Sequence, residues 1–95
     1  MRVGVIGAGS MGTVHAAAWR QAGAVLAGVH AKDVDGGRAL AAREGTDFLE
    51  DLDALIDRCE VVDVCAPTFL HRPLVEAAAR AGRHVVCEKP IALSV

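Results

Sequence analysis

The sequence predicts an α/β fold, a doubly wound parallel sheet of about five strands in the order 3-2-1-4-5. Three observations lead there. Short apolar runs rich in valine and alanine alternate with stretches of helical spacing along the 95 residues. The runs are continuously apolar, as strands buried on both faces are. Helices between such strands imply right-handed crossovers, which leave the strands parallel.

Each element has its own justification. Residues 2–6 read as the first strand. Residues 10–22 read as a helix in which Met11, Val14 and Ala18 recur at helical spacing, with Gly23 as the stop. A second strand over 25–29 precedes a helix over 34–43 that ends near Gly45. Residues 46–49 read as a short third strand. Asp51 is placed to cap a short helix whose apolar face is Leu52, Leu55 and Ile56. A fourth strand over 61–65, a helix over 70–81 stopped by Gly82, and a fifth strand over 84–87 complete the pattern.

Composition narrows the class. The length allows one domain, residues 1–95. Net charge is −2, with no basic block and only three aromatics, none interleaved with Lys or Arg. A nucleic-acid partner is therefore not expected. No apolar stretch approaches about 18 residues, so no membrane span is expected either. The start of the chain reads as a strand, since its short apolar run breaks at glycines. Cys59, Cys65 and Cys87 are odd in number and contain no C-x-x-C pair. Buried, reduced thiols in a cytoplasmic protein are the expectation, with no metal site.

The chemistry enters at Gly7-Ala8-Gly9-Ser10-Met11-Gly12, a G-x-G-x-x-G string. Alone it is weak, but here it follows the first strand and opens the first helix. Gly7 permits the tight turn, Gly9 lets a pyrophosphate approach the backbone, and Gly12 lets helix and strand pack closely. Ser10 and Met11 open the helix, whose free N–H groups and partial positive charge suit phosphates. A glycine turn without a ligand is the plainer alternative, disfavoured by these offsets at a strand-to-helix junction. The architecture is then Rossmann-type, with NAD or NADP as cofactor.

The choice between the two leans slightly to NADP. An acidic residue normally ends the second strand and holds the ribose 2′-hydroxyl of NAD. Here His30 and Ala31 stand in that region. Asp33 lies past the strand end and reads better as a helix N-cap. Lys32 can meet a 2′-phosphate, although an exposed loop lysine is commonly just solvated.

Two more segments lie where ligands of such sheets bind, at the carboxyl ends of the strands. They are Ala66-Pro67-Thr68-Phe69-Leu70-His71 and Glu88-Lys89-Pro90. Pro67 and Pro90 stop strands without needing a ligand, Thr68 can cap a helix, and His71 can be a solvated surface residue. Glu-Lys-Pro directly after a buried strand is harder to explain structurally.

With these motifs in hand, the chain resembles the N-terminal domain of the Gfo/Idh/MocA oxidoreductase family, the glucose–fructose oxidoreductase and inositol dehydrogenase group. The matching stretches run from Val5 to His15, from Ala66 to His71, and from Ala81 through Glu88, Lys89 and Pro90. The resemblance implies that Lys89 is catalytic, lining the active site beside the nicotinamide and touching substrate. It implies that Glu88 contacts the nicotinamide-side ribose, that Pro90 follows a cis peptide bond, and that Pro67, Thr68 and His71 border the cofactor. Asparagine often stands in the family where this chain has Thr68. The implied reaction passes a hydride between the nicotinamide and a secondary hydroxyl or ketone of a sugar or cyclitol.

The family's second domain, which supplies most of the substrate pocket, is not expected within these residues. Alone, they are expected to bind dinucleotide weakly or not at all and to show no turnover. An uncovered apolar sheet edge suggests self-association, and the whole enzyme is expected to be a homo-oligomer. A non-catalytic nucleotide-sensing module is the competing reading, and Lys89 argues against it because a sensor needs no lysine there. Dehydrogenases acting on amino-acid or dipicolinate substrates are a further reading, argued against by the Glu-Lys-Pro stop.

Overall fold

The computed structural model of the chain describes residues 1–66 and 71–87, His71 by its backbone alone. The element order is β1 (Arg2–Ile6), α1 (Ser10–Gln21), β2 (Val25–His30), α2 (Val34–Glu44), α3 (Leu52–Arg58), β3 (Val61–Val64), α4 (His71–Arg80) and β4 (His84–Cys87). The strands pair in parallel in the order β2-β1-β3-β4. The parallel α/β class is as the sequence predicts.

The strand count differs: among the described residues the sheet has four strands, where the sequence predicts about five. Residues 46–49 make a single bridge, Phe48 to Val29, beside β2. Val29 N donates to Asp47 O at 2.9 Å and Leu49 N to Val29 O at 2.8 Å, and the ladder goes no further. The physical reason is local. Gly45 caps the end of α2 and Asp51 caps the start of α3. The stretch between them is short and carries Asp47 and Glu50, which suit solvent better than a sheet interior.

The helices begin and end where their caps dictate. Asp33 accepts from Gly36 N at 3.2 Å and Asp51 from Asp53 N at 3.1 Å. At the other end of α2, Gly45 takes φ 71°, a left-handed conformation that a side chain would strain. The core has two layers, one on each face of the sheet. Ile6, Val62 and Val64 pack with Leu55, Ile56 and Cys59, the last three from α3 and its end. Val3, Val5 and Val29 pack with Ala16 of α1 and Leu40 and Ala41 of α2.

Three sequence expectations about burial are corrected. On α1 the buried residues are Gly12 and Ala16, while Met11 and Val14 stand 41% and 60% exposed. The glycine turn brings α1 so close to β1 that only the smallest side chains fit between them. Met11 and Val14 therefore face outward, while Trp19, a turn further on from His15, packs half-buried against the core. Likewise β4 is not buried on both faces. Its residues alternate between exposed and half-buried, and Val86 is 38% exposed at the sheet edge. Of the cysteines, Cys59 is buried, whereas Cys65 and Cys87 are only half-buried.

Candidate functional site

All strands being parallel, their carboxyl ends share one edge, and the glycine turn sits there. Gly7 N donates to His30 O at 2.8 Å, which joins the turn to the end of β2. On its other side the turn meets the end of β3. A Cβ on Gly7 would lie 2.8 Å from the backbone carbon and oxygen of Cys65, and its φ of 112° is itself unfavourable for a side chain. A Cβ on Gly12 would overlap the carbonyl oxygen of Gly7. Above Gly9 the space is open, with no atom of the described residues within 4 Å of a built Cβ.

The start of α1 is equally specific. Gly9 is its N-cap and provides no side-chain hydrogen bond, and no acidic residue occupies the first turn. Thr13 N bonds to Gly9 O at 3.0 Å, leaving the earlier amides of Ser10, Met11 and Gly12 without a helical acceptor. These amides, the helix dipole and the open space above Gly9 form a cradle for an anion. The residues present therefore fit a dinucleotide pyrophosphate. Any side chain at Gly7 or Gly12 would not.

At the end of β2, His30 Nδ1–H donates to Leu49 O at 2.8 Å, so its tautomer is fixed by an acceptor that cannot donate. Ala31 is buried and Lys32 is exposed just beyond it. Asp33 is engaged as the cap of α2, which bears out the capping role. The structure thus brings Gly7, Gly9, Ser10, Met11, Gly12 and Lys32 to one edge. His71 opens α4. Pro67, Thr68, Glu88, Lys89 and Pro90, with the expected cis peptide, lie outside the described residues.

One arrangement was not anticipated from the sequence. Asp63, at the heart of β3, is fully buried. Its Oδ2 accepts from His15 Nδ1–H and from Trp19 Nε1–H, each at 2.7 Å. The Cys65 thiol lies 3.5 Å from Oδ1. His15, Asp63 and Cys65 offer an N, an O and an S within 4.8 Å of one another, but hydrogen bonds from His15 and Trp19 already engage the carboxylate. Two signals pointed to it: an aspartate inside Val61-Val62-Asp63-Val64, and two N–H-bearing side chains one turn apart on α1. A shallow groove beside α1 is lined by His15, Ala18, Trp19, Ala22, Asp63 and Val86. Among the described residues no helix is long and apolar enough to cross a membrane.

Comparison with known proteins agrees with this geometry. A myo-inositol 2-dehydrogenase of Thermotoga maritima is 36% identical over 100% of this chain and 30% of its own length. A solved UDP-N-acetylglucosamine 3-dehydrogenase, GnnA of Acidithiobacillus ferrooxidans, superposes with TM-score 0.89 at 36% identity, covering 95% of this chain and 30% of that one. GenD2 from gentamicin A biosynthesis, solved in complex with NAD, gives TM-score 0.90 at 34% identity over 96% of this chain and 27% of its own. The chain spans 27–30% of the length of the curated relatives it matches. The profile of the Gfo/Idh/MocA oxidoreductase family, NAD-binding Rossmann fold, matches residues 1–95 from end to end. The chain belongs to that family and is its NAD-binding Rossmann domain.

Proposed function

We propose that these residues form the dinucleotide-binding domain of a cytoplasmic, homo-oligomeric dehydrogenase acting on a secondary hydroxyl or ketone of a sugar or cyclitol. The observation that carries the reading is the glycine turn. Its Gly7 and Gly12 positions exclude any side chain, its Gly9 position is open among the described residues, and its helix start carries no side-chain cap. The relatives named above act on inositol and on a nucleotide sugar, which supports the substrate class.

A bound nicotinamide would supply or accept the hydride. The chain's own residues do the rest. The amides of Ser10, Met11 and Gly12 hold the pyrophosphate, and Gly9 lets it approach the backbone. Lys32 meets a 2′-phosphate, and the buried Ala31 offers no carboxylate to a ribose 2′-hydroxyl. NADP is therefore preferred over NAD. Pro67, Thr68 and His71 border the cofactor. Glu88 binds its nicotinamide-side ribose. Lys89 orients the reacting hydroxyl, aimed by the bond to Pro90.

The test is an oxidation assay on the full-length enzyme against a panel of inositols, sugars and nucleotide sugars, with NAD⁺ and NADP⁺ in parallel. NADP⁺-dependent oxidation of at least one member, abolished by Lys89→Ala with dinucleotide binding retained, is the expected result. Binding without oxidation of any member, unchanged by Lys89→Ala, would favour a sensor instead.

A further inference from the structure

We propose that Asp63 is a positioning residue for the dinucleotide, acting through His15 and Trp19 to fix the rotation and rise of α1. The proposal rests on the reading that α1 receives the pyrophosphate.

Apart from the Trp19 ring, which packs against the core at the far end of α1, little apolar contact holds that helix in register. Its buried residues, Gly12 and Ala16, present almost no side chain to the sheet. Ridges and grooves set the crossing of two elements only where side chains interdigitate. A glycine–alanine face allows close approach but resists sliding and turning weakly. Met11 and Val14 lie on the exposed side and give no grip.

The polar tie supplies what the apolar contact lacks. His15 and Trp19 are one turn apart, so their side chains emerge on the same face of α1. Both reach one oxygen, Asp63 Oδ2, at 2.7 Å. Two directional bonds from points one turn apart onto a single acceptor constrain rotation and axial shift together. The acceptor is itself fixed. In β3 the ladder sets Asp63 opposite Val5 of β1 and opposite Val86 of β4. Two residues on, the end of the same strand contacts the glycine turn, since a Cβ on Gly7 would strike Cys65. Asp63 therefore ties α1 to the strand that forms the floor of its own N-terminal cradle.

Stability alone does not account for such a group. Replacing a buried ionic pair by well-packed apolar residues is often neutral or stabilising. What the carboxylate adds is direction, and direction matters for amides that must meet a pyrophosphate within a few tenths of an ångström.

The experiment compares Asp63→Asn and Trp19→Phe with Val62→Ala, whose neighbouring side chain faces the opposite core. Each substitution is made in the full-length enzyme, NADPH binding is measured by calorimetry, and exchange of the Thr13 amide is followed without ligand. The expected result is about tenfold weaker NADPH binding for both Asp63→Asn and Trp19→Phe. Thr13 exchange should also accelerate ahead of the strand amides, while Val62→Ala binds NADPH as the unaltered chain does. Should Asp63→Asn fail to fold, Trp19→Phe carries the comparison, since it removes one N–H and keeps an aromatic ring. Unaltered affinity in the folded variants overturns the proposal, and so does an equal loss in Val62→Ala. Failure of the unaltered full-length enzyme to bind NADPH removes the dinucleotide reading and this one with it. Failure of the variants to differ removes only the role of Asp63.

Discussion

A Cβ on Gly12 would overlap the carbonyl oxygen of Gly7, so the helix that begins the cradle touches the turn that precedes it. Gly9, two residues after Gly7, has space left open by the described residues where its side chain would be. The same motif therefore holds two kinds of glycine, one required by the fold and one required only by a ligand.

That difference is measurable. Gly12→Ala should lower stability by about 1–3 kcal/mol, because helix and turn must separate to admit the methyl group. Gly9→Ala should stay within about 1 kcal/mol of the unaltered chain, the cost of a poorer N-cap. It should nevertheless lose dinucleotide binding, because its methyl group occupies the pyrophosphate space. Thermal melting and an NADPH titration check both. Equal effects of the two substitutions on stability would contradict the distinction.

Lys32 stands exposed beyond a strand end that has no acidic residue. Lys32→Glu should weaken NADPH binding about tenfold or more and leave NADH binding unchanged or improved. The ratio of the two dissociation constants is the readout. A ratio unmoved by the substitution would remove Lys32 from the cofactor choice.

Burial pushes the Cys59 thiol above its ordinary value, against smaller opposing effects of the Gly4 backbone and of Arg83 and Arg2. The folded protein then keeps a proton that the unfolded chain releases. The resulting stability is present below the unfolded thiol value of about 8.5 and is lost as pH rises past it. Urea midpoints should fall between neutral pH and pH values above that point. They should fall less in Cys59→Ala. Equal slopes in the two chains would contradict the assignment.

Leu55 is fully buried, and its Cδ1 lies 3.0 Å from where a side chain would start on both Gly4 and Gly28. Leu55→Ala should cost about 2–5 kcal/mol, read by urea denaturation. Its lining is on the face under α3, so the glycine turn should keep its backbone shifts. Changes at residues 7–13 in the variant's amide spectrum would contradict that separation.

Much of this was legible in the residues themselves. Valine-rich strands, the Asp33 and Asp51 caps and the glycine stops carry local rules, and the structure follows them. The glycine fingerprint was legible because its context, strand then helix, is also local. What escaped depends on distance in space. Met11 and Val14 have the spacing of a core face, yet Gly12 and Ala16 take that place because the turn draws the helix in. The third strand fails because two caps leave it no length. Asp63 looks like a flaw in a valine run until His15, 48 residues earlier, is brought against it.

The most direct measurement is an amide shift titration of the ¹⁵N-labelled chain with NADPH and NADH at millimolar concentration. The account predicts weak, saturable shifts gathered at residues 7–13 and 30–32, stronger with NADPH. Shifts absent from the glycine turn, or gathered along the α3 and α4 face instead, would contradict it.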